Sequence, residues 1–149
     1  MLVPVDLRKN ISNVMADWRK IQPVAVGIVI DPDQRILISK RPAHKIKGGF
    51  WEFPGGKIED GETPGEALTR ELQEEIGIRV LECEKLMQYH HAYEAYHALL
   101  EVYIVKRYEG VPQSLENQEI QWISDSQFSD FMFLEANNKI IELYLSQKN

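Results

Sequence analysis

Apolar and polar positions alternate along the chain with two different periods, which predict a mixture of strands and helices. The segments from Val24 to Ile30 and from Arg35 to Arg41 are apolar and rich in β-branched residues, and the turn sequence DPDQ between them predicts a hairpin. Strands are predicted at about 24–30, 35–41, 50–53, 79–89, 98–106 and 119–123, with a polar loop at 107–118. The mixed order of elements favours an α/β fold in which helices pack on a sheet.

Helical spacing of apolar residues predicts one helix at about 64–76 and another at about 135–146. A shorter helix is expected to begin at Ser124, because Ser-Asp-Ser is a start signal. The first 22 residues are interpreted as an N-terminal extension to a domain at 23–149. Its apolar positions predict an amphipathic helix that packs on its own domain or on a partner: Leu7, Ile11, Val14, Met15 and Trp18.

Composition limits the architecture and the partners. With 149 residues, of which 44% are hydrophobic, the chain can bury the core of one domain. The formal charge of -6 disfavours polynucleotide binding, which depends on many Lys and Arg contacts to phosphates. The one cysteine, Cys83, cannot form an intramolecular disulfide, and no run approaches the roughly 18 apolar residues of a membrane span. We therefore expect a soluble, cytoplasmic protein without a membrane or nucleic-acid partner.

The helix at 64–76 carries an unusual concentration of acids. Thr63, Pro64 and Glu66 are a strong helix start, and Gly77 is a typical stop. At 100° per residue, Glu75 and Glu74 lie about 40° and 60° to either side of Glu71. The leucines and isoleucine of the helix occupy the neighbouring face, so one side is apolar and the side next to it is acidic.

Carboxylates three and four residues apart repel each other, by about 0.2 to 0.5 kcal/mol per pair, and Arg70 relieves only part of this. One interpretation is a solvated acidic face with an internal salt bridge. The other is a divalent cation, because clustered carboxylates and backbone carbonyls are the hard oxygen ligands that Mg²⁺ prefers. Magnesium also bridges to substrate phosphates, so the second interpretation points to phosphate chemistry.

The spacing of the whole stretch favours the second interpretation. Gly56 is followed after five residues by Glu62, and after seven more by Arg70-Glu71-Leu72, one residue, Glu74-Glu75, one residue and Gly77-Ile78. This pattern resembles the signature box of the Nudix hydrolases, which cleave a nucleoside diphosphate linked to another group. The resemblance implies a Nudix fold, an α/β/α sandwich with a mixed β-sheet between helices.

The resemblance also implies a metal site and catalytic residues. Glu71, Glu74 and Glu75, together with the carbonyl oxygen of Gly55, are expected to hold Mg²⁺ or Mn²⁺, and Arg70 is expected to orient the glutamates. Metal ions at such a site lower the pKa of bound water and neutralise phosphate oxygens. Either Glu71 or Glu74 is expected to accept the proton of the attacking water.

Residues 23 to about 145 further resemble the MutT branch, whose members act on oxidised guanine nucleotides. Carried over by position, Glu116 matches a carboxylate that joins the metals, and Asn137 matches the amide that recognises the oxidised purine. Asn137 could instead decorate the last helix, Glu116 could be a solvated loop acid and Phe53 could belong to the core. The residues expected to contact the nucleotide are Val24, Arg41, Phe53, Lys57 and Asn137.

The implied reaction is Mg²⁺-dependent hydrolysis of 8-oxo-dGTP to 8-oxo-dGMP and pyrophosphate by a monomer or homodimer. Alternatives are another Nudix substrate, such as a dinucleoside polyphosphate, dNTP or CTP, and a silent nucleotide-binding module. The segment QYHHAYEAYH at 88–97 departs from the MutT pattern and is longer. Its Tyr93 lies near where dinucleoside-polyphosphate hydrolases place a tyrosine. A zinc site there is disfavoured, because His90 and His91 would point to opposite faces of a strand.

Overall fold

The computed structural model describes residues 21–94 and 96–148, and they form seven strands, two α-helices and one 3₁₀ helix. The strands are β1 (Ile21–Val29), β2 (Ile36–Lys40), β3 (Trp51–Glu52), β4 (Gly55–Lys57), β5 (Arg79–Ala92), β6 (His97–Glu109) and β7 (Glu119–Ile123). The helices are α1 (Pro64–Ile76), the 3₁₀ helix Asp125–Asp130 and α2 (Glu135–Gln147). None of the helices in this part of the chain is long and apolar enough to cross a membrane.

The strands form two sheets. The larger sheet has the order β4-β1-β6-β5, and the smaller has the order β3-β2-β7. In the larger sheet β1 runs parallel to β6 and antiparallel to β4, so that sheet is mixed, as the resemblance implied. One apolar core lies between the sheets and includes α2 residues such as Ile140 and Tyr144, while a second lies under α1.

The predicted hairpin between the first two strands is wrong. Only Ile30 and Ile36 form a bridge across the turn, and β1 and β2 then enter different sheets. The turn itself is present, closed by an ion pair of 2.9 Å between Asp31 and Arg35. β1 is buried between β4 and β6, so its hydrogen-bonding edges are already occupied and β2 pairs elsewhere.

Most other predicted elements are confirmed. Helix α1 has the predicted bounds, and β7 has the bounds predicted for the strand at 119–123. β5 and β6 each extend further toward the turn between them than predicted. The structure contains one strand that was not predicted, β4, because its sequence is rich in glycine. The polar loop predicted at 107–118 is shorter than expected and consists of the residues between β6 and β7. β1 begins at Ile21, two residues before the predicted domain boundary. The predicted N-terminal helix lies outside the described residues.

Helix α1 forms for the reasons that its sequence suggested. The Thr63 hydroxyl accepts a hydrogen bond from the Glu66 N–H, the Glu66 carboxylate accepts one from the Thr63 N–H, and Gly77 closes the helix at φ 71°. Its apolar face is buried against the larger sheet. At Gly27 of β1 a Cβ atom would lie 3.2 Å from Leu68, so the glycine lets the helix approach the strand closely. This contact fixes the acidic face of α1 beside β4.

Candidate active site

The connection from β3 to the start of α1 places two glycines against the acidic helix. Gly55 has φ 153°, and a Cβ on it would lie 2.0 Å from the carbonyl oxygen of Ala25. A Cβ on Gly56 would lie 2.3 Å from the carboxylate carbon of Glu71. Gly55 leaves no room for a side chain, because a Cβ there would meet the backbone of β1, whereas a Cβ on Gly56 would force the Glu71 carboxylate to move.

Arg70 forms ion pairs with several of the acidic groups. Its Nε and Nη2 form a two-pronged pair with Glu62 at 2.8 and 2.9 Å, which lowers the pKa of Glu62 to about 2. Its Nη1 donates to Glu71 at 2.9 Å and to Glu74 at 3.4 Å, and Nη2 also donates to the Lys57 carbonyl. One guanidinium therefore links the loop before α1, the end of β4 and two of the predicted metal-binding glutamates.

Glu75 lies on the inner side of this acidic face. Its carboxylate accepts a hydrogen bond of 3.1 Å from the Gly55 N–H. Burial raises the pKa of Glu75 to about 8; the Gly55 hydrogen bond opposes the rise, and the charges of Glu71, Glu116 and Glu52 add to it. Burial also raises the pKa of Glu71, against the lowering effect of Arg70. Both groups would be stabilised as carboxylates by a nearby cation.

Glu116 approaches these carboxylates although it is far away in sequence. The N–H groups of Gln113 and Leu115 donate to the carbonyls of Ile76 and Glu75, which have no partner within a helix that ends there. The buried side chain of Gln118 completes the attachment: its Nε2 donates to the Glu75 carbonyl at 3.0 Å, and its Oε1 accepts from the Glu116 N–H at 2.9 Å. The loop is thereby fastened to the last turn of α1.

The donor set fits a hard divalent cation in its chemistry. Four carboxylates and the backbone of Gly55 lie beside β4; burial raises the pKa of Glu71 and Glu75, and the repulsion from the neighbouring carboxylates adds to the rise. As they stand, no three acidic, histidine or cysteine side chains of residues 21–94 and 96–148 are arranged to hold a metal ion. The reason is visible in the hydrogen bonds, because Arg70 engages Glu71 and Glu74 while Gly55 engages Glu75. Ligation requires these carboxylates to rotate toward a common centre.

A cleft that opens to solvent lies beside the carboxylates. Arg41 lines it, and its guanidinium pairs with Glu52 at 3.2 Å and with the Ile46 carbonyl at 3.0 Å. Glu75 and Glu116 line the same cleft, so predicted metal and nucleotide residues meet there. The sequence prediction missed the other lining residues, among them Lys45, Glu52 and Gln118. The only sequence signals for them were a basic loop after β2 and an acid in the predicted strand FWEF.

Asn137 lies in the first turn of α2 and is only 6% exposed. Its Oδ1 accepts a hydrogen bond of 3.1 Å from the N–H of Phe53, a residue 84 positions earlier in the chain. The side chain is therefore built into the interior rather than decorating the helix surface. Phe53 is 4% exposed and packs on Phe128 and Phe133, so its ring belongs to the core.

Val24 and Lys57 face each other across β1 and β4. Val24 is partly buried against the core between the sheets, and Leu100 lies beside it on β6. Lys57 is exposed, and its carbonyl is the acceptor for Arg70. The structure thus brings Val24 and Lys57 together on neighbouring strands beside the acidic site.

The raised pKa of Glu75 predicts a pH-dependent stability of the metal-free protein. Its value of about 8 exceeds the 4.5 of an ordinary glutamate, so the folded state binds this proton more tightly than the unfolded state. The resulting stabilisation is complete below about pH 4.5 and is lost as the pH rises through 8. Urea unfolding in EDTA at several pH values should therefore show wild type losing stability relative to Glu75→Gln across that window. A difference that does not change with pH would contradict the assignment.

Comparison with known proteins places this site in a family. A family model described as NUDIX domain matches residues 25–143. The chain is 37% identical to the 8-oxo-dGTP diphosphatase of Escherichia coli K12 over 123 residues, which is 83% of this chain and 95% of that relative. It is 31% identical to the CTP pyrophosphohydrolase of the same organism, over 81% of this chain and 90% of the relative.

A solved structure agrees with the fold. One chain from a study of MutT from Aliivibrio salmonicida and Vibrio cholerae superposes with a TM-score of 0.76 at 37% identity, covering 86% of this chain and 99% of that one. The fold, the acidic site and these matches define the class of protein, a hydrolase of phosphoanhydride bonds. The chain belongs to the Nudix hydrolase family, as the spacing of its acidic box implied.

Proposed function

We propose that this enzyme hydrolyses 8-oxo-dGTP to 8-oxo-dGMP and pyrophosphate in the cytoplasm, with Mg²⁺ as cofactor and Mn²⁺ as a possible substitute. Such an activity removes an oxidised precursor before it is incorporated into DNA. One observation supports the proposal: Glu52 lines the cleft together with Arg41, Glu75 and Glu116, and the next residue, Phe53, donates its N–H to the buried amide of Asn137. The residues proposed to bind phosphate (the phosphate half of the site) and the residue proposed to bind the base (the base half) are therefore connected through Glu52 and Phe53.

In the phosphate half, Glu71, Glu74, Glu75, Glu116 and the Gly55 carbonyl would hold the metal. Bound there, Mg²⁺ lowers the pKa of a coordinated water and neutralises phosphate oxygens. Glu71 or Glu74 accepts the proton as the water oxygen adds to one phosphorus, and the bridging oxygen departs with the other phosphate. Arg70 keeps these carboxylates aligned, because it contacts both of them and the Lys57 carbonyl. Lys57 and Arg41 provide positive charge for the phosphates.

In the base half, Asn137 recognises the purine. Its Oδ1 holds the Phe53 N–H, which fixes the orientation of the amide, and its NH₂ group donates to the base. Oxidation at C8 of guanine converts N7 from an acceptor to a donor and adds a carbonyl oxygen. An oriented amide can distinguish these two patterns, because its oxygen retains a second lone pair for a donor on the base. Val24 and the Phe53 backbone form the apolar surroundings.

The decisive experiment compares two nucleotides. Pyrophosphate release in Mg²⁺ should be at least about 10²-fold faster from 8-oxo-dGTP than from dGTP at equal low concentrations, because a site that pairs with a specific NH group strongly rejects an analogue lacking it. Omission of the metal should abolish both rates. Equal rates on the two nucleotides would refute the proposed substrate while leaving a Nudix hydrolase.

The same assay should include CTP, since one relative at 31% identity is named CTP pyrophosphohydrolase. A value of kcat/KM higher for CTP than for 8-oxo-dGTP would replace the first proposal with that second activity. The carboxylate site would be unaffected by this outcome, because the phosphate half is common to both substrates.

A further inference from the structure

An aromatic cluster lies at the turn between β5 and β6, in the segment that departs from the MutT pattern. We call Tyr89, His91, Tyr93 and Tyr96 the tip cluster. His91 meets the Tyr93 ring edge-on at 4.6 Å, and Tyr93 stacks on Tyr96 at 5.1 Å. The Tyr93 N–H donates to the Tyr96 carbonyl at 2.9 Å. Because the segment differs from the MutT pattern, that resemblance assigns no role to these side chains; only Tyr93 lies near a tyrosine position of the dinucleoside-polyphosphate hydrolases.

His91 faces the interior of the protein, whereas its neighbour His90 faces solvent. His91 is 9% exposed, on the face of the larger sheet that bounds the core between the sheets. His90 points to the opposite face, where it is exposed and lies 2.7 Å from His97. The prediction that the two adjacent histidines diverge is thus confirmed. His91 is buried and has no part in the proposed catalytic steps, so its role must be a different one.

The tip cluster lies near the start of α2. His91 Nε2 is 3.9 Å from a carboxylate oxygen of Glu135, which begins α2 two residues before Asn137. Tyr93 packs on the core between the sheets that contains Phe53, the backbone partner of Asn137. The charges of Glu52, Arg41 and Glu135 all act on the Tyr93 hydroxyl, so Tyr93 is within electrostatic range of both the cleft and the start of α2.

The hydrogen bonds of His91 indicate what it can offer a ligand. Its Nδ1 lies 3.3 Å from the Tyr89 hydroxyl. When that hydroxyl donates to Nδ1, the imidazole carries its proton on Nε2, which becomes a donor directed toward the start of α2. Asn137, whose Oδ1 is oriented by the Phe53 N–H, offers its NH₂ group as one donor, and His91 Nε2 would add a second donor for a base that carries two carbonyl oxygens.

We infer that His91 is a base-recognition residue that donates from Nε2 to a carbonyl oxygen of the nucleobase held by Asn137, with Tyr93 as the aromatic wall beside that base. The inference rests on the proposed function only in placing the base at Asn137. Tyr89 is a positioning residue in this arrangement, because it selects the imidazole tautomer. A donor at His91 Nε2 favours purines and pyrimidines that have a carbonyl oxygen and disfavours adenine, which has none.

Two variants of His91 test the inference, and the same change at His90 is the matched control. We expect His91→Phe to weaken the binding of 8-oxo-dGMP by about tenfold in calorimetry with Mg²⁺, the size of one lost hydrogen bond to a buried group. His91→Gln, which keeps a donor near the Nε2 position, should recover most of the affinity. His90→Phe, the same change on the other face of the strand, should stay within about twofold of wild type.

Base-free 2-deoxyribose 5-phosphate distinguishes recognition from a structural effect. Its affinity should be unchanged in His91→Phe, and an equal loss for both ligands would overturn the inference, as would wild-type affinity for 8-oxo-dGMP. If His91→Phe does not fold, ¹⁵N spectra of the wild-type imidazoles decide. Addition of 8-oxo-dGMP should shift the His91 Nε2 signal and leave that of His90 in place, and an unshifted His91 signal refutes the role.

The outcomes also separate this inference from the proposed function. If the wild-type enzyme prefers another nucleotide, the 8-oxo-dGTP proposal fails, and the calorimetry is repeated with the monophosphate of the preferred substrate. His91→Phe should then weaken that ligand in the same way. If 8-oxo-dGTP is preferred and His91→Phe binds its product normally, the His91 inference fails alone.

Discussion

Glu75→Gln is expected to abolish turnover without unfolding the protein. In the absence of metal the pKa of Glu75 is about 8, so at pH 7 the side chain is mostly protonated and glutamine is a close substitute for it. Glutamine can still accept the hydrogen bond from the Gly55 N–H. It cannot supply the negative charge that a divalent cation requires, so kcat should fall by roughly 10²- to 10³-fold, as when one preorganised electrostatic group is removed.

Thermal unfolding with and without Mg²⁺ provides the second readout. Wild-type protein should gain a few degrees in Tm in saturating Mg²⁺, because a ligand that binds only the folded state stabilises it, and Glu75→Gln should gain much less. Glu66→Gln is the matched control on the same helix, since Gln can replace Glu in a capping box. Near-normal turnover by Glu75→Gln, or an equal loss in Glu66→Gln, would remove Glu75 from the metal-binding set.

Gly56→Ala is expected to inactivate the enzyme by displacing a side chain rather than by disturbing the fold. The added methyl group would lie 2.3 to 2.6 Å from the carboxylate of Glu71. A carboxylate at the end of a flexible side chain can move aside at little cost, so the free energy of unfolding should change little. Turnover should fall by about 10²-fold, because a displacement of about 1 Å in a catalytic group has an effect of that size.

Gly65→Ala is the control for this substitution. It lies in the first turn of α1, and a Cβ there meets nothing within 4 Å. Alanine should keep wild-type turnover and stabilise the protein by about 0.5 to 1 kcal/mol, the usual difference from glycine in a helix. Unfolding of Gly56→Ala at room temperature, or turnover equal to that of Gly65→Ala, would contradict the proposed contact with Glu71.

Local sequence predicted the acidic helix completely, because the causes of that helix are local. Thr63 bonds to Glu66 three residues later, Pro64 suits the first helical position, and the Gly77 N–H donates to the Gln73 carbonyl four residues earlier. The same holds for the pairing of Arg70 with Glu74 one turn later. Prediction failed for the hairpin of the first two strands, because the choice of a strand partner depends on residues far away in sequence.

What the sequence by itself determined is the chemistry, namely a capped helix with three carboxylates on one face and the family to which that pattern belongs. What only the tertiary structure decided is which distant residues join it. Gln118 fastens Glu116 to the end of α1, Glu52 pairs with Arg41, and Asn137 bonds Phe53 across 84 residues. The physical reason is that helix caps and carboxylate spacing are satisfied within a few residues, whereas these contacts exist only after two sheets have packed around a common core.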